Sequence, residues 1–229
     1  MKTPVLDNRL TAIADCVNSG GIVADVGCDH GYLAAHLALC GQAKLVYASD
    51  INKKPLESAK KTVDSFNLND KVLLFQSDGL KDVPRDVTTI VIAGMGGELI
   101  MKILDEADWI CRKGMQLVLQ PMSFLPELRT FLYSRGFEIK NEIPIIDHPR
   151  YYLIIDAVYT GKKKELSDKE SLLGLLEFSS KPKAELYLSR EYKKYKKMAD
   201  GLSQAKGEDE KYKLCLKKLE YLKRWNGED

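Results

Sequence analysis

Ile22-Val23-Ala24-Asp25-Val26-Gly27-Cys28-Asp29-His30-Gly31-Tyr32-Leu33-Ala34-Ala35-His36 is the stretch from which the fold of this 229-residue chain can be read. An apolar run rich in β-branched side chains breaks at two glycines and passes at once into residues that favour helix. That order spells strand, tight turn and helix N-terminus. Open α/β folds hold nucleotide-type cofactors at such a turn. A dinucleotide fingerprint needs glycine at three places, G-x-G-x-x-G, so that bare backbone can reach a pyrophosphate. Laid from Gly27, those places hold Gly27, Asp29 and Tyr32. A carboxylate therefore stands where phosphate oxygens would go, and like charges repel. The same carboxylate attracts cations. S-adenosylmethionine (SAM) carries a sulfonium and an α-ammonium and no phosphate, so the loop favours it over NAD.

Working outward, Leu10, Ile13, Ala14 and Val17 share one face at helical spacing over residues 6–18, with Asn8 and Arg9 at the start. Downstream, the pattern predicts a helix from Gly31 to Cys40, a strand over Lys44 to Asp50 and a helix over Lys53 to Phe66. Further strands are expected over Lys71 to Phe75, Thr88 to Ile92 and Gln116 to Leu119, and helices over Gly97 to Ala107 and Leu125 to Ser134. Two last β-rich runs, Phe137 to Ile146 and Tyr151 to Tyr159, are joined by a short turn containing His148-Pro149 and must pair antiparallel. Alternating strands and helices give an α/β, doubly wound, Rossmann-like sheet of seven mostly parallel strands.

After Tyr159 the composition changes, and Gly161-Lys162-Lys163-Lys164 marks a boundary between residues 1–160 and 161–229. Leu188, Tyr192, Tyr195, Ala199 and Leu202 recur at alternating spacings of four and three, as do Tyr212, Cys215, Leu219 and Leu222. These are two heptad-like seams joined by a polar turn over Gly201 to Gly207, which predicts a C-terminal α-helical coiled-coil hairpin. The net charge of +2 hides an asymmetry: from Thr160 onward there are 18 Lys+Arg against 13 Asp+Glu, or +5, leaving 17 against 20, or −3, for the rest. The basic half is accordingly expected to meet an anionic partner, although a solvated face with an aromatic seam explains most of these residues individually. Five scattered cysteines (Cys16, Cys28, Cys40, Cys111, Cys215) suggest buried thiols, with neither disulfides nor a metal site. The N-terminal stretch has no continuous apolar region and no later run is long enough to span a bilayer, so a cytoplasmic protein is expected, and a monomer is favoured.

The chemistry-bearing candidates follow the strand ends. The first loop, Asp25-x-Gly27-x-Asp29-x-Gly31 with His30 inside it, interleaves two acids with its glycines and so points to a cofactor, although glycine turns between strand and helix also occur where nothing binds. Asp50, with Ile51 beside it, ends the second strand, where an acid can accept from both ribose hydroxyls or cap the next helix. Asp78-Gly79 ends the third, where the acid can meet an adenine amino group or close a turn. Ala93-Gly94-Met95-Gly96-Gly97 ends the fourth, letting backbone approach a planar ligand. His30 can titrate near neutrality, though a lone histidine at a helix start is more often structural. The residues alone leave open a methyltransferase of a small molecule or protein, or an RNA-binding protein that has lost catalysis.

Taken together, Asn8-Arg9-Leu10, the loop from Asp25 to Leu33, Ser49-Asp50-Ile51-Asn52, Asp78-Gly79-Leu80, Ala93-Gly94-Met95-Gly96-Gly97 and Gln120-Pro121 resemble the bacterial tRNA (adenine-22, N1)-methyltransferase family. The resemblance runs over essentially the whole chain. It implies a class I SAM-dependent methyltransferase fold, followed by a coiled-coil module that grips tRNA. It also implies SAM contacts at Gly27, Asp29, Asp50, Asp78 and Gly94, and it brings Arg9 and Gln120 into a catalytic set with His30. Methyltransferases of exocyclic amines commonly carry an Asn-Pro-Pro-Tyr-like motif after the fourth strand. Gly94-Met95-Gly96-Gly97 in that place fits a ring nitrogen better.

Overall fold

The computed structural model describes residues 4–179, 181–203 and 210–226. Met1, Lys2 and Thr3 of the N-terminal stretch lie outside the described residues, as do residues 204–207 of the polar turn expected over Gly201 to Gly207. Seven strands, β1 (Gly21–Val26), β2 (Ala43–Asp50), β3 (Val72–Gln76), β4 (Thr89–Met95), β5 (Gln116–Pro121), β6 (Phe137–Asp147) and β7 (Arg150–Tyr159), form one sheet in the order β3-β2-β1-β4-β5-β7-β6. The first five run parallel, and β7 is antiparallel to both β5 and β6. The central strands read as continuous apolar runs because both faces are covered.

Helices α1 (Asn8–Cys16), α2 (Tyr32–Leu39) and α3 (Lys53–Ser65) cover one face, packing Ile13, Leu37, Ala59 and Val63 against Val23, Val46 and Val91. The other face carries α4 (Gly97–Asp105) and α5 (Leu125–Ser134), whose Ile100, Leu104, Leu128 and Leu132 meet Ile90, Ile92, Leu117 and Leu119. Each fully buried Val, Leu or Ile among these stabilises the fold by roughly 2 kcal/mol. Asp7 caps α1, its Oδ1 accepting from the Leu10 amide at 2.7 Å, which is why the helix begins one residue later.

Two strands run two or three residues further at their carboxyl ends than the sequence predicts. β4 continues to Met95 and β5 to Pro121, and their register slips between Ala93 and Met95. The slip falls on Gly94 (φ +75°), a bulge that a residue without a side chain adopts at no steric cost. The amide freed by this bulge donates to Gln120 Oε1 at 3.2 Å.

Beyond β7 the chain forms α6 (Asp168–Leu173), a 3-10 turn (Gly174–Phe178), α7 (Pro182–Ser203) and α8 (Glu210–Leu222). The expected seam is present: Leu188, Tyr195 and Ala199 of α7 are buried with Cys215 and Leu222 of α8, and Tyr192, Leu202, Tyr212 and Leu219 pack around them. α6 is not among the expected helices; Ser167 and Glu170 start it with a reciprocal capping box. A buried ion pair ties this region to the sheet. Arg129 Nε on α5 donates to Glu142 Oε1 on β6 at 2.6 Å, with side-chain exposures of 1% and 0%. Arg129 Nη1 also donates to the carbonyls of Ser171 and Leu172, while Glu142 Oε2 accepts from the Leu175 amide at 2.7 Å. The expectation of buried thiols holds for Cys28 and Cys215 only. Cys16 and Cys111 are half-buried and Cys40 is exposed, because it follows α2 where the chain turns to solvent. No helix among the described residues is long and apolar enough to cross a membrane.

Candidate active site

Sheet order reverses between β1 and β4, and the carboxyl ends of the strands open there into a cavity of about 510 Å³. The predicted residues Arg9, Gly27, Asp29, His30, Asp50, Ile51, Asp78, Gly79, Gly94 and Met95 all line it. Gly31 and Gln120 do not. Gly31 (φ +68°) sits behind the loop as the residue before α2, where an added Cβ would meet Ala59 Cβ at 3.0 Å, so its glycine serves the packing of α2 on α3. Gln120 is fully buried. Its Oε1 accepts from the Gly94 amide and from Arg9 Nη1, both at 3.2 Å, and its Nε2 donates to the Pro121 carbonyl. Gln120 thus lies beneath the cavity, with its side-chain oxygen on Arg9 and the Gly94 bulge.

Each strand end fixes its side chain by backbone geometry. The amides of Gly27 and Cys28 both donate to the Ser49 carbonyl, at 2.8 and 2.9 Å, so the β1 loop is tied to the end of β2. Asp29 is held at φ +49° and is largely exposed. Asp50 Oδ1 accepts from the Asn52 amide at 2.9 Å, and the following Ile51 is more than half exposed. Asp78 is paired with Lys81, whose ammonium holds the carboxyl below the usual carboxylate range. Arg9 lies over the Tyr152 ring, 5.7 Å from its centroid. His30 stacks on Tyr32 at 5.5 Å with an interplanar angle of 9°.

Several contributors fell outside the predicted set. Leu99 and Ile103 of α4 supply an apolar wall, and Cys28, Asn52 and Ser77 also line the cavity. Asp25 matters most. It lies at the carboxyl end of β1, paired to Ala48 and Val91, and is 5% exposed. Its Oδ2 is buried without a hydrogen-bond partner. Burial pushes its carboxyl up to about 7; the Ala34 amide opposes that shift and the Asp50 carboxylate adds to it. Burial and the neighbouring Asp25 and Asp50 carboxylates likewise push the Cys28 thiol up, which disfavours its thiolate.

Four carboxylates, Asp25, Asp29, Asp50 and Asp78, therefore face a cavity whose one guanidinium, among the described residues, is that of Arg9. Such a lining suits a ligand carrying positive charge, and the unpartnered Asp25 Oδ2 is a ready acceptor for a cationic group. SAM fits this donor set.

Comparison with known proteins agrees with the geometry. The sequence profile described as a methyltransferase domain matches residues 6–155. The tRNA (adenine(22)-N(1))-methyltransferase of Bacillus subtilis is 31% identical over 164 residues, covering 68% of this chain and 69% of that protein. The crystal structure of the B. subtilis M1A22 tRNA methyltransferase TrmK superposes with a TM-score of 0.85 at 26% identity, covering 97% of this chain and 99% of the other. M. capricolum TrmK, solved in complex with the cofactor product S-adenosyl-homocysteine, superposes with a TM-score of 0.83 at 25% identity, over 96% and 97% of the two chains.

Proposed function

This chain belongs to the tRNA (adenine(22)-N(1))-methyltransferase family, and from that premise we infer how its own residues serve the reaction. It is a SAM-dependent enzyme that methylates N1 of adenine 22 in tRNA. The observation that carries this reading is the acid-lined cavity at the reversal of strand order. When bound, SAM supplies an electrophilic methyl group on a sulfonium.

N1 of neutral adenine carries an in-plane lone pair and attacks without prior deprotonation, so the protein's work is positioning and exclusion of water. We assign Asp50 to the ribose hydroxyls, Asp78 and Gly79 to the adenine amino edge, and Asp25 and Asp29 to the cationic end of the cofactor. Gly27, Gly94 and Met95 let backbone approach closely. Arg9, held by Gln120, orients the substrate base at the Gly94 bulge. Methylation leaves a cationic adenine, which the acidic lining stabilises, and we assign His30 to accepting a proton from its N6. Because N1 is on the pairing edge, the base must be unpaired or extruded before it reacts. Residues 161–229 are assigned to gripping the tRNA, supported by their excess of +5 and by exposed Lys193, Lys196 and Lys197 on α7.

The test is direct. The protein is incubated with labelled SAM and unmodified bacterial tRNA, the tRNA is digested, and the methylated nucleoside is identified by mass spectrometry. 1-Methyladenosine mapping to position 22 is the expected product; label in another nucleoside, or in none, overturns the assignment.

A further inference from the structure

Extruding an adenine removes its stacking partners, and something must replace them. The segment Met122-Ser123-Phe124 between β5 and α5 is built to do so. Phe124 is 45% exposed and Met122 57% exposed, and neither belongs to a core cluster. Phe124 also adopts φ +53° and ψ +38°, a left-handed conformation that is a genuine outlier for a bulky residue. Glycine or asparagine would serve this helix start with less strain. Folding alone gives no reason for an exposed ring here, and strain retained at such a place points towards function.

Its position says which function. The Met122 amide donates to the Met95 carbonyl at 2.8 Å and the Gly97 amide to the Ser123 carbonyl at 3.1 Å, so residues 122–124 are stitched to the Gly94 to Gly97 lip of the cavity. The approach is so close that a Cβ on Gly97 would lie 2.4 Å from the Ser123 oxygen and 3.1 Å from Phe124 Cβ. Met95 itself lines the cavity. Residues 122–124 therefore adjoin the lip of the cavity, and Phe124 is exposed there. The Phe124 ring offers a face on the scale of one nucleobase. Aromatic rings stack on bases whatever their sequence.

We propose that Phe124, with Met122 beside it, is the surface on which the adenine presented for methylation stacks. This rests on the reading of the enzyme as a tRNA adenine-N1 methyltransferase. Phe124→Gly is the informative variant, because glycine accepts the left-handed backbone that phenylalanine resists. Its thermal midpoint should equal or exceed that of the parent and its SAM affinity should be unchanged, while kcat/KM for tRNA falls about ten- to a hundredfold. Phe124→Trp should restore most of that loss. A tRNA carrying 2-aminopurine at the target position should lose fluorescence on binding the parent protein and not on binding Phe124→Gly. Unaltered tRNA kinetics in Phe124→Gly, equal quenching by both proteins, or a lowered thermal midpoint that Phe124→Trp repairs without restoring turnover would each overturn the proposal. A parent protein that methylates no adenine would instead overturn the functional reading on which it stands.

Discussion

Asp25 lies in the middle of the sheet, flanked by β2 and β4, with one carboxylate oxygen unpartnered. Its folded-state pKa of about 7 stands above the ordinary value of 3.8, so between those values the folded protein holds a proton that the unfolded chain releases. Its contribution to stability is therefore complete below about pH 4, declines by up to about 1.4 kcal/mol per pH unit as pH rises, and is lost above about 7. Urea midpoints of the ligand-free protein measured from pH 5 to 8 should show this decline, and Asp25→Asn should flatten it. A cationic cofactor favours the ionised form, so SAM affinity measured by calorimetry should rise over the same interval. The groups that bear on Asp25 are the Asp50 carboxylate and the Ala34 amide. None of this is legible from Asp25-x-Gly27-x-Asp29, which treats the two acids alike. One is buried by strands distant in sequence while the other is exposed in a loop, and pairing order decides which. Gln120 shows the same limit: its place at a strand end suggests chemistry, but its hydrogen bonds are spent on Gly94 and Arg9.

At the scale of elements, the Arg129–Glu142 pair joins α5 and β6 to the backbone of α6 and the turn after it. Arg129→Met would strand a buried carboxylate, at a cost of about 3–5 kcal/mol, read as a fall in the urea midpoint. Often a matched apolar replacement of both partners recovers such a loss. Here Arg129→Met combined with Glu142→Leu should recover only part of it, because the carbonyls of Ser171 and Leu172 and the amide of Leu175 would lose their partners. Gly174 makes the arrangement possible: a Cβ there would lie 2.2 Å from Glu142 Oε2. No pattern in the sequence announces a pair split between a helix and a strand and meeting a third segment's backbone. The strands, by contrast, are legible from apolar runs bounded by glycine and acids, and their late ends at Met95 and Pro121 are hidden because parallel neighbours supply hydrogen bonds past the apolar run. The capping box Ser167-x-x-Glu170 ahead of Leu172 and Leu173 is a readable signal for α6.

For the whole molecule, the C-terminal region is not a detachable arm. Leu153 of β7 is buried with Leu172, Leu173, Leu176 and the α7–α8 seam, so cutting the chain at residue 160 would uncover both that surface and the Arg129–Glu142 pair. Truncation therefore confounds tRNA binding with stability. Replacing exposed Lys193, Lys196 and Lys197 with glutamine is the cleaner measurement. Titrating tRNA affinity against salt should show a slope reduced by about 0.7–0.9 for each phosphate that a lysine no longer neutralises, with SAM affinity unchanged. The 22 residues of α7 make a rod about 33 Å long. Ala184, Tyr187 and Leu188 near its root are buried with Leu153, and Tyr195 and Ala199 further out are buried with Cys215 of α8. The helix is then a lever whose fulcrum is the polar clasp under α6. A tilt of about ten degrees there would carry the far end through about 6 Å, so the angle fixed at the root sets how far the exposed lysines of α7 stand from the cavity.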